Sequence, residues 1–207
     1  MPRAKKPYHH GHLRESLTEA AVHLIAEVGP AGFNLREVAR RAGVSHNAPY
    51  RHFRDKGHLL AEVAAQGFRE LNASMVVGAG GEKTALEKLK RSGHEYVAFA
   101  LRRPEHFAAM FDAPLSEADR EVCQEAGAAA FGTLVNFIAL CQQQGELPAG
   151  ETEFRALQAW SLVHGIAKLG VAKRLPFGSH EQVLRFADAA IDASISALRN
   201  PVGKTTG

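Results

Sequence analysis

A chain of 207 residues, 45% apolar and 7% aromatic, can bury about 70% of its unfolded surface in a core that needs no disulfide or metal staple. Two cysteines cannot build a disulfide framework or a four-ligand zinc site by themselves, and no apolar run reaches the roughly 18 residues of a membrane helix. The formal net charge of +3 is unevenly placed: residues 1–56 hold ten Lys or Arg against five Asp or Glu, net +5, and the remainder is net −2.

A basic head on a slightly acidic body suits a polyanionic partner, nucleic acid first, although scattered solvated charge gives the same count. No apolar stretch follows the basic start Arg3, Lys5, Lys6, so no signal peptide is read and a reducing cytoplasm is the expected setting. That leader at 1–12 is either a basic arm for the minor groove or a solubilising tail. His9, His10 and His12 form a His-rich cluster with no Cys or acid at ligand spacing, which reads as a polar lead-in rather than a metal site.

Leu13, Leu17, Ala20, Ala21, Leu24, Ile25 and Val28 recur at helical spacing until Gly29-Pro30 stops the first helix. Asn34 caps a short second helix burying Leu35, Val38, Ala39 and Ala42, and Gly43 ends it. Ser45 is an N-cap for a third helix to about His52, and a fourth begins near Lys56 with Leu59, Leu60, Val63, Ala64, Phe68 and Leu71. Gly78-Ala79-Gly80-Gly81 reads as a linker between a connecting helix at 57–77 and a body at 82–199.

In the body, Leu86 to Leu101 form a helix broken at Pro104, a short helix at 105–111 follows, and Ser116 caps a long helix to about Gln144. Residues 151–174 form another, and Val183, Phe186, Ala187, Ala190, Ile191, Ser194, Ile195 and Leu198 stripe the last, at 180–199. No stretch alternates with period two, so the fold class is all-α; the tail at 200–207 reads as disordered. Cys123 and Cys141 lie 18 positions apart on one expected helix, about 27 Å at 1.5 Å per residue, too far to bridge. They read as small buried hydrophobes, with redox sensing between two copies as the minor alternative.

The most informative segment is NLREVARRAGVSHNAPYRHFRDKGHLL at 34–60. Two short helices joined by Ala-Gly-Val-Ser have the form of a helix-turn-helix. Ala39 is small where the helices approach, Gly43 can take a positive φ, and Val44 can tuck under both. Ser45 leaves helix N-terminal N–H groups facing outward, where a phosphate can bind. The face of this helix carries His46, Asn47, Ala48, Tyr50 and Arg51, short polar, aromatic and basic groups fit for a major groove or its phosphates.

The first 70 or so residues resemble the DNA-binding domain of the tetracycline-repressor (TetR/AcrR) family. The matching pieces are Leu35-Arg36-Glu37-Val38-Ala39, Ala42-Gly43-Val44-Ser45, Tyr50-Arg51-His52-Phe53, and Lys56 with Leu59-Leu60. Trp160-Ser-Leu-Val-His164-Gly165 is similar to the Trp-His-Gly type of regulatory domain. The resemblance implies about nine helices, a helix-turn-helix domain at 13–56 and a ligand-binding and dimerisation domain.

It also implies that Tyr50, Lys56 and His52 meet the DNA backbone and that Ser45, His46 and Asn47 face base edges or phosphates. Arg51 shares that face, and Arg36 is placed to reach flanking backbone. Phe53 and Val44 are expected in the core. Pro49 departs from the common pattern and leaves the register of the recognition helix open.

No phosphate loop, His-Glu-x-x-His or Gly-x-Ser-x-Gly elbow is present, so no enzyme and no cofactor or metal is expected. Phe99, Phe107, Met110, Phe111, Phe131, Trp160 and His164 are each either core or the lining of a small-molecule pocket. The expected function is a ligand-responsive regulator, foremost a repressor, acting on double-stranded, near-palindromic operator DNA. The resemblance implies a homodimer through the last two helices, released by an unknown small molecule. The alternative is a constitutive DNA-binding dimer.

Overall fold

The computed structural model describes residues 13–199. The N-terminal arm at 1–12, with Arg3, Lys5, Lys6 and the histidine cluster, and the tail at 200–207 lie outside the described residues. The described chain is all-helical. The helices are α1 (Leu13–Val28), α2 (Leu35–Arg41), α3 (Lys56–Ala79), α4 (Ala85–Arg102), α5 (Pro104–Phe111), α6 (Glu117–Gln143), α7 (Thr152–Val171) and α8 (His180–Arg199). Of the nine expected helices the third, from Ser45 to about His52, is reduced to one 3-10 turn, Pro49–Arg51.

The ends follow local chemistry. Asn34 and Thr84 each cap a helix while the Glu three positions on, Glu37 or Glu87, returns a hydrogen bond to the cap's own N–H. Pro104 opens α5, where its missing N–H costs nothing. The Gly-rich stretch at 78–81 is the end of α3 and a turn, not a separate extended segment.

The chain forms two compact units. One comprises described residues 13–65 and 105–123, the other 66–104 and 124–199. In the first, Leu17, Ala21 and Leu24 of α1, Val38 and Ala39 of α2, and Phe53, Leu59 and Leu60 are buried together with Phe107 and Ala109 of α5. In the second, α4 packs on α7 and α8. Gly93 makes that contact close: a Cβ there would stand 2.9 Å from Ile191 Cδ1 and 3.5 Å from Val163 Cγ1. Ile191 of the α8 stripe therefore packs inside the chain, against α4, and Ile195 is buried too, whereas Phe186 of the same stripe is exposed.

The sequence shows no apolar run of membrane length, yet α6 has the length and composition to cross a bilayer, the one such helix among the described residues. Its Thr133 Oγ1 donates to Asn72 Oδ1 of α3 at 2.7 Å, and a Cβ on Gly127 would stand 3.6 Å from the Phe68 ring. Cys123 and Cys141 lie on this one continuous helix, both free and buried.

Candidate nucleic-acid interface

The interface is built outward from α2. Asn34 Oδ1 accepts from the N–H groups of Arg36 (3.0 Å) and Glu37 (3.1 Å), and Glu37 Oε2 accepts from Asn34 N–H (2.9 Å). The box fixes the first turn of α2 and leaves the Arg36 side chain exposed. At the other end Gly43 takes φ +70°, a left-handed conformation costly for any residue with a Cβ. That lets the Val44 N–H return to the Ala39 carbonyl at 3.0 Å and turns the chain. Val44 is half-buried rather than fully core, whereas Phe53 is buried as expected.

The segment from Ser45 to His52 does not form the α-helix expected of it. After an N-cap at Ser45, the first backbone hydrogen bond of an α-helix would come from residue 49, and Pro49 has no N–H to give. The chain tightens instead: Ala48 N–H bonds the Ser45 carbonyl (2.9 Å), Arg51 N–H the Ala48 carbonyl (3.2 Å) and His52 N–H the Pro49 carbonyl (2.9 Å). These three-residue closures make turns rather than α-helix.

The tight turn still sorts its side chains. Ala48, Pro49 and Phe53 point into the unit and are buried, while Ser45, His46, Asn47, Tyr50 and Arg51 are exposed. Tyr50 is 54% exposed, unusual for so large a ring. His52 is half-buried beside Phe53, with ring centroids 6.4 Å apart.

Lys56 is engaged differently. Its Nζ donates to the Ala31 carbonyl at 2.7 Å and lies 4.7 Å from the Phe33 ring centroid, and partial burial pushes its pKa below the usual lysine range. Two further groups escape a reading of the sequence. Asp55 caps α3 by accepting from the His58 N–H at 2.8 Å, and that bond chiefly holds its carboxyl below the usual range. Arg54 reaches Asp119 at the start of α6 (2.5 Å), and Asp119 also accepts from Ser116 Oγ. A partner 65 residues away leaves no local sequence signal.

In the C-terminal unit the expected pocket residues divide. Phe131, Trp160 and His164 form one cluster with Tyr96: Trp160 stacks edge-on to Phe131, Trp160 Nε1 donates to Tyr96 Oη (3.1 Å), and Tyr96 Oη bonds His164 Nδ1 (2.8 Å). Burial raises the pKa of Tyr96 far above its ordinary value. Phe99 is buried in α4 of the same unit. Phe107, Met110 and Phe111 belong to α5 in the other unit, where the Phe107 and Phe111 rings lie 4.9 Å apart.

None of these seven lines the cavity of about 310 Å³ that opens among α4, α6, α7 and α8. Its walls are Leu89, Gly93, Leu134, Ile138, Leu162, Val163, Ile191, Ile195 and Leu198, with Arg155, Gln158 and Ser194 as polar members. The sequence signal was the α7 stripe 155, 158, 159, 162, 163 at helical spacing, which singles out one face but not what it faces.

Residues 17–63 match the model of bacterial regulatory proteins of the tetR family, and residues 89–194 match the tetracyclin repressor-like C-terminal domain. An HTH-type transcriptional repressor of Mycobacterium tuberculosis is 36% identical over 61 residues, 30% of this chain; the match spans about a third (32%) of that relative's length. A Rhodococcus sp. RHA1 protein of unknown function is 33% identical over 94% of this chain and 100% of its own, with a TM-score of 0.81. The FadR regulator of Bacillus subtilis, solved with stearoyl-CoA, shares the fold at 17% identity, covering 88% of this chain and 97% of its own, with a TM-score of 0.76. With one family model on the helix-turn-helix and a second over half the chain, this protein belongs to the TetR family of transcriptional regulators.

Proposed function

We propose that this regulator is a ligand-responsive repressor that binds a near-palindromic operator as a homodimer. The observation that carries the reading is the exposed row Ser45, His46, Asn47, Tyr50 and Arg51 standing on a buried anchor of Ala48, Pro49 and Phe53. A rigid base with short polar, aromatic and basic groups outward is what groove and phosphate contact requires. Arg36 extends the row toward flanking backbone. His52 and Lys56 are partly buried, so Lys56 would reach a phosphate only by giving up the Ala31 carbonyl or sharing its other donors.

The dimer reading is supported by Phe154 and Leu157 on α7 and Phe186 on α8, large apolar side chains left 57%, 46% and 41% exposed in the single chain. Two copies paired there would bring two recognition turns to half-sites about 34 Å apart. The effector reading is supported by the cavity in the C-terminal unit and by the FadR relative, whose structure holds stearoyl-CoA. A ligand preferring the dimer geometry that fits DNA poorly weakens operator binding, and DNA weakens the ligand by the same factor.

The test is selection of bound DNA from a random pool, then fluorescence anisotropy on the winner across a salt series. The expected outcome is a palindromic site, affinity falling steeply with salt, and loss of binding in Tyr50→Ala with an unchanged melting curve. A pool that yields no consensus, or equal binding by Tyr50→Ala, overturns the reading. A firm consensus with no compound able to release it leaves a constitutive DNA-binding dimer instead.

A further inference from the structure

We infer that the cavity among α4, α6, α7 and α8 takes an apolar monocarboxylic acid of about eight carbons, its carboxylate on Arg155 and its chain among Leu89, Ile138, Leu162 and Ile195. Its regulatory consequence rests on the repressor reading above; its binding does not.

Size comes first. At about 310 Å³ the cavity is near the lower end of small-molecule sites, and at the roughly 30 Å³ a water occupies it has room for about ten heavy atoms. Gly93 keeps this wall open and flat, since a Cβ there would meet Ile191 Cδ1 at 2.9 Å.

Chemistry comes second. The walls are mainly aliphatic, and the polar groups are few: Arg155 and Gln158, one turn apart on α7, and Ser194 on α8. Arg155 is the charged member of the lining. Its Nη1 donates to the Pro148 carbonyl at 2.7 Å, which holds the guanidinium in place. A guanidinium has five N–H donors in a planar fork, so the remaining donors suit the two oxygens of a carboxylate. A neutral head forgoes the charge-assisted bond, and an ammonium meets a like charge.

The experiment is isothermal titration calorimetry of the full-length protein with octanoate, octan-1-ol and octylamine. The variants are Arg155→Leu and Ala159→Phe, each first checked for a native melting curve. The expected result is octanoate binding at least tenfold tighter than octanol, with no heat from octylamine. Arg155→Leu should lose at least tenfold for octanoate while keeping its octanol affinity, and Ala159→Phe, which fills the cavity, should lose both. Octanol binding as tightly as octanoate, an Arg155→Leu protein unchanged toward octanoate, or no octanoate binding by the folded protein overturns the inference.

Operator anisotropy separates this inference from the reading beneath it. Operator released by another class of compound, with no octanoate binding, leaves the repressor standing and removes this ligand. Arg155-dependent octanoate binding that never changes operator affinity, with no other compound doing so, keeps the site and leaves a constitutive DNA-binding dimer in place of the ligand-responsive repressor.

Discussion

Replacing Asn34 by alanine isolates the contribution of one cap to the recognition unit. α2 is only seven residues long, just under two turns, so its unpaired N-terminal N–H groups are a large share of its hydrogen-bonding capacity. Of those four groups the capping box satisfies three: those of Arg36 and Glu37 by the Asn34 side chain, and that of Asn34 by Glu37. Alanine removes the first two bonds and unmoors the third. Loss of such a cap costs about 1 kcal/mol, within a range of roughly 0.5–2. For a chain of this length that corresponds to a melting temperature lower by about 2–4 °C per kcal/mol.

Thermal unfolding followed by circular dichroism at 222 nm reads the shift, and Asn34→Asp is the control because aspartate caps as well as asparagine. A double-mutant cycle with Glu37→Ala should show coupling, because each residue serves the other's backbone. If Asn34→Asp destabilises as much as Asn34→Ala, the cap is not the source of the effect and the reasoning is wrong.

Three other outcomes follow from single observations. Gly43→Ala should cost about 1 kcal/mol and Gly43→Asn less, because the position sits at φ +70° with nothing within 4 Å of an added Cβ, so the penalty is backbone strain alone; denaturant midpoints measure it. Lys56→Met should lower the urea midpoint by an amount equivalent to about 1–2 kcal/mol, through the lost Ala31 hydrogen bond and the contact with Phe33; a wild-type midpoint with weakened DNA binding would show that Lys56 serves phosphate instead. Burial pushes the Cys141 thiol up to about 11 from an ordinary value near 9, so the folded state holds a proton that the unfolded state releases. Stability from this group is complete below pH 9 and is lost as pH rises toward 11; Cys141→Ala should flatten that alkaline decline, and an unchanged slope in chemical-denaturation curves would refute the assignment.

Much of the helical architecture was legible because its signals are local. Asn34 before an apolar period, Gly29 and Gly43 as stops, Pro104 as a break and opener, and the Leu13-to-Val28 stripe act within a few residues, and α1, α2, α4 and α8 begin and end close to where the sequence puts them. The segment at 45–52 departs from its expected α-helix for an equally local reason. Ser45 signals an N-cap, but Pro49 withholds the bond that would propagate an α-helix from it, and the buried Ala48 and Phe53 hold the resulting tight turn in place.

By itself, then, the sequence determined an all-helical chain, a helix-turn-helix head with an outward polar row, and a body of amphipathic helices, because periodicity, caps and breakers are properties of neighbours in the chain. What only the tertiary structure decided are the meetings across distance. Arg54 finds Asp119 at the start of α6, Tyr96 joins Trp160 and His164, and Lys56 turns back to the Ala31 carbonyl. Ile191 of the α8 stripe packs on Gly93 of α4, while Phe186 of the same stripe stays exposed, as do Phe154, Leu157 and Leu169 of α7. An apolar stripe encodes that a face will be buried; which surface covers it depends on the shapes of all the helices at once, and so does the cavity that Arg155 borders.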